Sequence, residues 1–181
     1  MQATDMIRAD HTRVMAVFHR YKADSRPATK RALFNVIRAM LLVHARIEEE
    51  IFYPAMRKAG SLLPEEQLVP EHEEMRTLIA QLSGMDPADP QFDLTFMELM
   101  RDVIHHVADE ETILLTHAET VLADRLGELG AQMVKRRLEL MGRQAAGGRG
   151  WMWAAGALAG LLMLISSGKR RSSSLRLGAP G

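Results

Sequence analysis

No cysteine occurs in the 181 residues, which excludes disulfides, thiolate metal sites, iron–sulfur clusters and a cysteine nucleophile. Any metal bound by this chain has to use histidine, aspartate or glutamate. The opening MQATDMIRAD lacks the apolar stretch of a signal peptide, so none is expected. Strand-like alternation is missing throughout, which leaves an all-helical fold. Formal net charge is zero, but residues 1–134 hold 14 Lys/Arg against 22 Asp/Glu, and residues 135–181 hold 9 against 1. The acidic body argues against nucleic acid as its partner, and the basic end marks a region with a partner of its own.

Proline and glycine interrupt the body at DSRPATK (24–30), KAGSLLP (58–64) and SGMDPADPQ (83–91). Four segments with helical apolar spacing remain: about 5–22 (Ile7, Val14, Met15, Phe18), 30–53 (Leu33, Ile37, Met40, Leu41, Ile51), 65–82 (Leu68, Met75, Ile79, Leu82) and 91–116 (Leu99, Val103, Ile113, Leu114). Asp89 before Pro90, and Pro64 with Glu65 and Glu66, suit helix starts; Gly60 suits a helix end, and Pro54 kinks or ends the second segment. Short connections between four helices predict an up-down-up-down bundle. A fifth helical stretch, about 119–144, either packs on the bundle or leads out of it.

The apolar faces carry an unexpected set of polar residues. His11 falls between Ile7 and Val14, His44 and Glu48 continue the series 37, 40, 41, and His72 sits between Leu68 and Met75. On the fourth segment the count 99, 103, 106, 110, 113 turns His106 and Glu110 inward, while His105 shares its face with Glu98, Asp102 and Asp109. His19 groups with polar neighbours, and His117 lies about 10 Å beyond Glu110 along the helix. Distances from the loops agree: His11 and His44 lie 15 and 18 residues either side of a loop centred at 26, Glu48 and His72 lie 13 and 11 from 61, and His72 and His106 lie 16 and 18 from 88. In antiparallel helices these counts put all six residues within one or two turns of a single layer.

Two segments repeat each other, LLVHARIEE (41–49) against VIHHVADEE (103–111). His and Glu at i and i+4 stand one above the other on a helix, so both reach one ion. A single inward histidine is more often a hydrogen-bonded core residue than a ligand. Six such groups at one level form a poorly paired polar layer unless a cation joins them. Sulfur-free imidazole and carboxylate ligands suit iron, zinc or manganese. Six protein ligands exceed the needs of one tetrahedral zinc, whereas two octahedral ions offer about twelve positions, of which four His, two bridging Glu and a bridging oxygen fill about ten.

Ferritin-type carboxylate bundles use ExxH, which is absent here. The chain instead resembles the hemerythrin-like (HHE) family: DH at 10–11, HxxxEE followed by YP at 44–54, EH at 71–72, and HxxxEE at 106–111, over roughly residues 5–140. The resemblance implies a four-helix bundle holding an oxo- or hydroxo-bridged non-haem di-iron centre, with His11, His44, His72 and His106 as terminal ligands and Glu48 and Glu110 as bridges. Oxygen-carrying hemerythrins place a further histidine one turn away on the third helix, where this chain has Leu68 and Arg76. Its ligand set is similar to that of bacterial HHE proteins, which respond to oxygen, peroxide, nitric oxide or iron levels. The implied partner is therefore a small diatomic or peroxide ligand, bound or turned over at the centre; the remaining alternative is a metal-free helical scaffold tethered to a membrane by its tail.

The expected organisation is a bundle over 1–144, a glycine-rich linker over 145–150, a membrane helix over 151–168 and a basic flexible tail over 169–181. WMWAAGALAGLLMLISS carries no charge over 17 residues, about 26 Å of helix against a hydrocarbon core of roughly 30 Å. Trp151 and Trp153 suit the interface, and Gly156 with Gly160 forms a GxxxG pattern that would pair two such helices into a homodimer. Basic residues on both sides leave the orientation open. The expected location is a membrane surface with the bundle in the cytoplasm, the alternative being a soluble cytoplasmic protein.

Overall fold

Proline and glycine set the helix boundaries. The computed structural model describes residues 1–61 and 64–146, and the chain divides into two units, Met1–Met141 and Gly142–Gly181, of which the first holds the bundle. The elements are α1 (Ala3–Phe18), α2 (Pro27–Ile47), a π-helical turn π1 (Glu48–Phe52), α3 (Tyr53–Lys58), a second such turn π2 (Pro64–Leu68), α4 (Val69–Gly84), α5 (Pro90–Asp109), a third π turn π3 (Glu110–Leu114), α6 (Leu115–Val121) and α7 (Leu126–Ala146). The expected segments 151–168 and 169–181 lie outside the described residues. Among the described residues no helix is long and apolar enough to cross a membrane.

The fold is the expected all-α, up-down-up-down bundle with a fifth helix. α1 packs along α2, α4 along α5, and α2 and α6 close the contacts to α4 and α1. Asp89 caps α5 by accepting a 2.8 Å bond from the Gln91 amide, with Pro90 at the first helical position. Gly60 ends α3 with φ 92°, the Gly60 and Ser61 amides bonding back to Arg57 and Met56. That double bond is the Schellman closure, and the positive φ favours glycine.

The π turns change two expectations. α2, π1 and α3 form one continuous helical run, so Pro54 neither ends nor sharply interrupts it: the wider turn just ahead, with the Tyr53 amide bonded to the Glu48 carbonyl, absorbs the proline. In π3 the Leu115 amide likewise reaches the Glu110 carbonyl. Each five-residue turn rotates the helix beyond it, so Ile113, expected inward, is 52% exposed while Leu114 and Leu115 are fully buried. Phe34 likewise fills the inward position at the start of α2 that the spacing assigned to Leu33, which is half-buried.

Two apolar clusters flank a polar layer. One, around Phe34, Phe92, Phe96 and Leu99, fills the end near the 19–26 and 85–89 loops. The other joins Met6, Phe52, Tyr53 and Met56 to Leu126, Leu129 and Met133, so the fifth helix packs on the bundle. Each buried phenylalanine stabilises by about 2–3 kcal/mol, and the two clusters brace the layer between them.

Candidate metal centre

The six inward residues expected from the sequence meet in that layer. His11, His44, Glu48, His72, His106 and Glu110 are between 0 and 6% exposed. Glu48 Oε1 lies 3.1 Å from His44 Nε2 and Oε2 lies 3.5 Å from His72 Nε2, so one carboxylate spans histidines of two helices. Glu110 Oε2 lies 3.2 Å from His11 Nε2 and 3.9 Å from His106 Nε2. The potential donor atoms form two overlapping groups, His11/His44/His106/Glu110 and Glu48/His72/His106, each within 4.8 Å. His105, His19 and His117 are exposed, outside the layer.

A set of carboxylates beside the layer fixes which way the rings face. His11 Nδ1 is 2.8 Å from Glu111, His72 Nδ1 2.8 Å from Glu49, and His106 Nδ1 2.8 Å from Glu71. His44 Nδ1 faces Asp10 at 3.7 Å, beyond hydrogen-bond length. An ionised carboxylate only accepts, so Nδ1 carries the proton in the three bonded rings and Nε2 turns a lone pair inward. The supports run in a circle: α1 supplies Asp10 to α2, π1 supplies Glu49 to α4, α4 supplies Glu71 to α5, and π3 supplies Glu111 to α1. Sequence reasoning gave these four acids no role. The available signal was adjacency: each directly precedes or follows an inward ligand, about 100° around the helix, and so sits at the seam with the neighbouring helix.

The spacing also gives no role to Tyr53, the tyrosine of the YP pair. Its buried hydroxyl lies 3.2 Å from Glu110 Oε1 and 3.4 Å from Glu48 Oε2, and its ring stacks on His72 at 5.7 Å. Burial, then the charges of Glu110 and Glu48, push its pKa well above the usual value, so it remains a proton-bearing donor.

The inner atoms fit a cation. His11 Nε2, His44 Nε2, Glu48 Oε1 and Glu110 Oε2 are fully buried without a hydrogen bond, although they stand 3.1–3.2 Å apart in pairs. His72 Nε2 and His106 Nε2 face each other at 3.2 Å, two lone pairs that repel unless a positive charge lies between them. Ligand atoms about 2.1 Å from an octahedral ion stand about 3 Å apart, close to these spacings. The electrostatics agree. Burial, with repulsion from Glu110 and Asp10, pushes the Glu48 carboxyl well up. Burial pushes Glu110 the same way, but contact with His11 and the fields of His106 and His44 overcome it and hold Glu110 at about 2. Burial lowers His44 to about 4 and lowers His72 as well, keeping both in the neutral form that ligates metals. His11 is raised: burial works downward, and Glu110 and Glu111 outweigh it. Two carboxylates buried at one level are costly to hold together without a cation.

A cavity of about 20 Å³ adjoins the histidines, walled by Val14, Leu41, Ala45, Met75, Val103 and Val107, with Arg76 also on its lining. That is room for about one water-sized molecule. Arg76, one of the two positions a turn from His72, bonds Glu49 (2.7 and 2.8 Å) and Glu73 (2.7 Å). It braces a support and contributes nothing to the inner set.

Comparison with known proteins agrees with the helical bundle. In fold, the chain is similar to a hemerythrin HHE cation binding domain-containing protein from Mycobacterium kansasii, with a TM-score of 0.69 over 81% of this chain and 91% of that one at 20% identity. In sequence it is similar to a DNA nickase from Nostoc sp., 29% identical over 151 residues; these cover 81% of this chain and 43% of the nickase, so the match spans less than half of that protein. The hemerythrin HHE cation binding domain matches residues 2–118, including all six inward residues and their four supporting acids. The chain belongs to the hemerythrin HHE cation-binding family.

Proposed function

We propose that the layer holds two iron ions, with His11, His44, His72 and His106 as terminal ligands and Glu48 and Glu110 as bridges, and that the pair senses or handles a small oxidant or gas such as oxygen, peroxide or nitric oxide. The observation that carries this reading is the set of buried inner nitrogen and oxygen atoms left without hydrogen bonds while the outer Nδ1 atoms are held by carboxylates. Glu48, with one oxygen toward His44 and the other toward His72, has the reach of a bridge. Iron bound there supplies a redox-active Lewis acid for small oxygen or nitrogen ligands. The chain's part is to exclude bulk water, keep His44 and His72 neutral and offer a chamber too small for an organic substrate.

The chamber gives the test. Iron-loaded protein should show a near-ultraviolet band that shifts on adding azide, nitric oxide or peroxide, and Ala45→Leu, which fills the cavity, should block the shift while iron content stays unchanged. A shift that survives cavity filling would rule out the chamber as the ligand's place.

Turnover of peroxide is the second reading, and Tyr53 favours it. Its hydroxyl is an inward proton donor outside the ligand set, touching both glutamates. Peroxide loss that drops in Tyr53→Phe with iron retained would select this reading over simple binding. Neither reading draws on the nickase's activity, since the acidic body suits nucleic acid poorly. The apolar run at 151–168 remains the proposed membrane attachment and pairing element; a chain lacking it that still pellets with membranes would exclude that role.

A further inference from the structure

Of the four ring supports, one is diverted. Glu49, Glu71 and Glu111 stand 2.8 Å from their histidines, whereas Asp10 stands 3.7 Å from His44. Asp10 Oδ1 accepts from Arg13 at 2.8 Å, and Oδ2, the oxygen facing His44, is held in close contact by the Arg137 guanidinium of α7. Two of the other supports take an extra bond inside the bundle, Glu49 from Arg76 and Glu71 from Gln67. Next to Arg137, Arg136 bonds Glu50 of π1 at 2.6 and 3.1 Å. The fifth helix thus grips the α1–α2 half of the layer at two points, one of them a ligand's support.

A support bonded to a metal-ligating histidine fixes the ring and raises its basicity, and losing it typically costs ten- to hundred-fold in metal affinity. We infer that Arg137 is a positioning residue: by holding Asp10 against α7 it leaves His44 without a hydrogen-bonded carboxylate, so that the metal position served by His44 releases its ion more readily than the other. The seating of α7 thereby tunes one ion of the pair through Arg137, Asp10 and His44. This rests on the two-metal reading above.

The test uses the full chain loaded with iron and then exposed to a chelator in excess, with release followed optically. Two phases are expected. Arg137→Met keeps the side chain's apolar stem and removes its donors; it should slow the fast phase about ten-fold and leave the slow phase alone. Arg137→Lys should keep wild-type kinetics, and in an Asp10→Asn background Arg137→Met should change nothing. A residue that merely held the fold together would, on removal, quicken both phases; that result, or unchanged kinetics in Arg137→Met with two irons bound, overturns the inference alone. A full chain that takes up no iron overturns the metal reading and this inference with it.

Discussion

The two halves of the metal layer are built from the same short pattern and are finished differently. In α1–α2 the residues are Asp10–His11 and His44 with Glu48–Glu49; in α4–α5 they are Glu71–His72 and His106 with Glu110–Glu111. Each half ends its HxxxE pair in a π turn that starts at the inner glutamate, Glu48 or Glu110, and each passes its outer acid to a histidine on a neighbouring helix. The α4–α5 half is complete within the bundle. The α1–α2 half is open to α7, which takes a share of Asp10 and Glu50. A repeated local pattern sets equivalent inner geometry, and packing from outside the repeat introduces the asymmetry.

Removing a bridge should have the largest effect and should erase the difference between the halves. Glu48→Ala and Glu110→Ala are each expected to lower bound iron from two per chain to one or fewer, measured by metal analysis after loading. Unequal losses would mean that the glutamates do not serve both ions alike. Next come the supports, where the halves should separate. Glu49→Gln, Glu71→Gln and Glu111→Gln should each weaken metal binding about ten- to hundred-fold in chelator competition, and Asp10→Asn by only a few-fold, because its contact with His44 is already long. An equal penalty at all four positions would deny the asymmetry.

Disturbing α7 without touching the layer is a milder intervention. A side chain at Gly130 would collide with the Met1 carbonyl oxygen, so Gly130→Ala should destabilise by about 1–3 kcal/mol, read as a lower melting temperature, while the α4–α5 half keeps its metal. The smallest effect is expected far from both halves. Asp93 accepts from Lys30 at 2.7 Å and from Tyr21 at 2.5 Å; burial opposes ionisation, but these partners hold its pKa below the ordinary 3.8. Because the folded pKa is the lower one, the stabilisation is fully present above pH 3.8 and is lost as pH falls through the folded value. In metal-free protein, Asp93→Asn should therefore flatten the loss of urea resistance in acid, with little change in metal content.

The bundle and the inward six were legible because both follow from spacing: a 3.6-residue period and equal distances from loops suffice to place side chains in a layer. The supports Asp10, Glu49, Glu71 and Glu111 were hidden because their partners lie on other helices, and nothing in one helix's period says which neighbour its seam faces. Tyr53 and Ile113 escaped for a different reason. Both lie in or just after a π turn, where one extra residue breaks the count: it buries Tyr53 against the glutamates and turns Ile113 outward. The part played by Arg137 needed the packing of α7, about which the spacing left two options.

The central claim is that six side chains on four helices share two cations. Metal analysis of the purified, iron-loaded full chain beside His44→Ala tests it most directly. Two irons per wild-type chain with an oxo-bridge charge-transfer band, falling to one or none with loss of that band in the variant, is the predicted result; iron content and spectrum indifferent to His44→Ala would contradict the account.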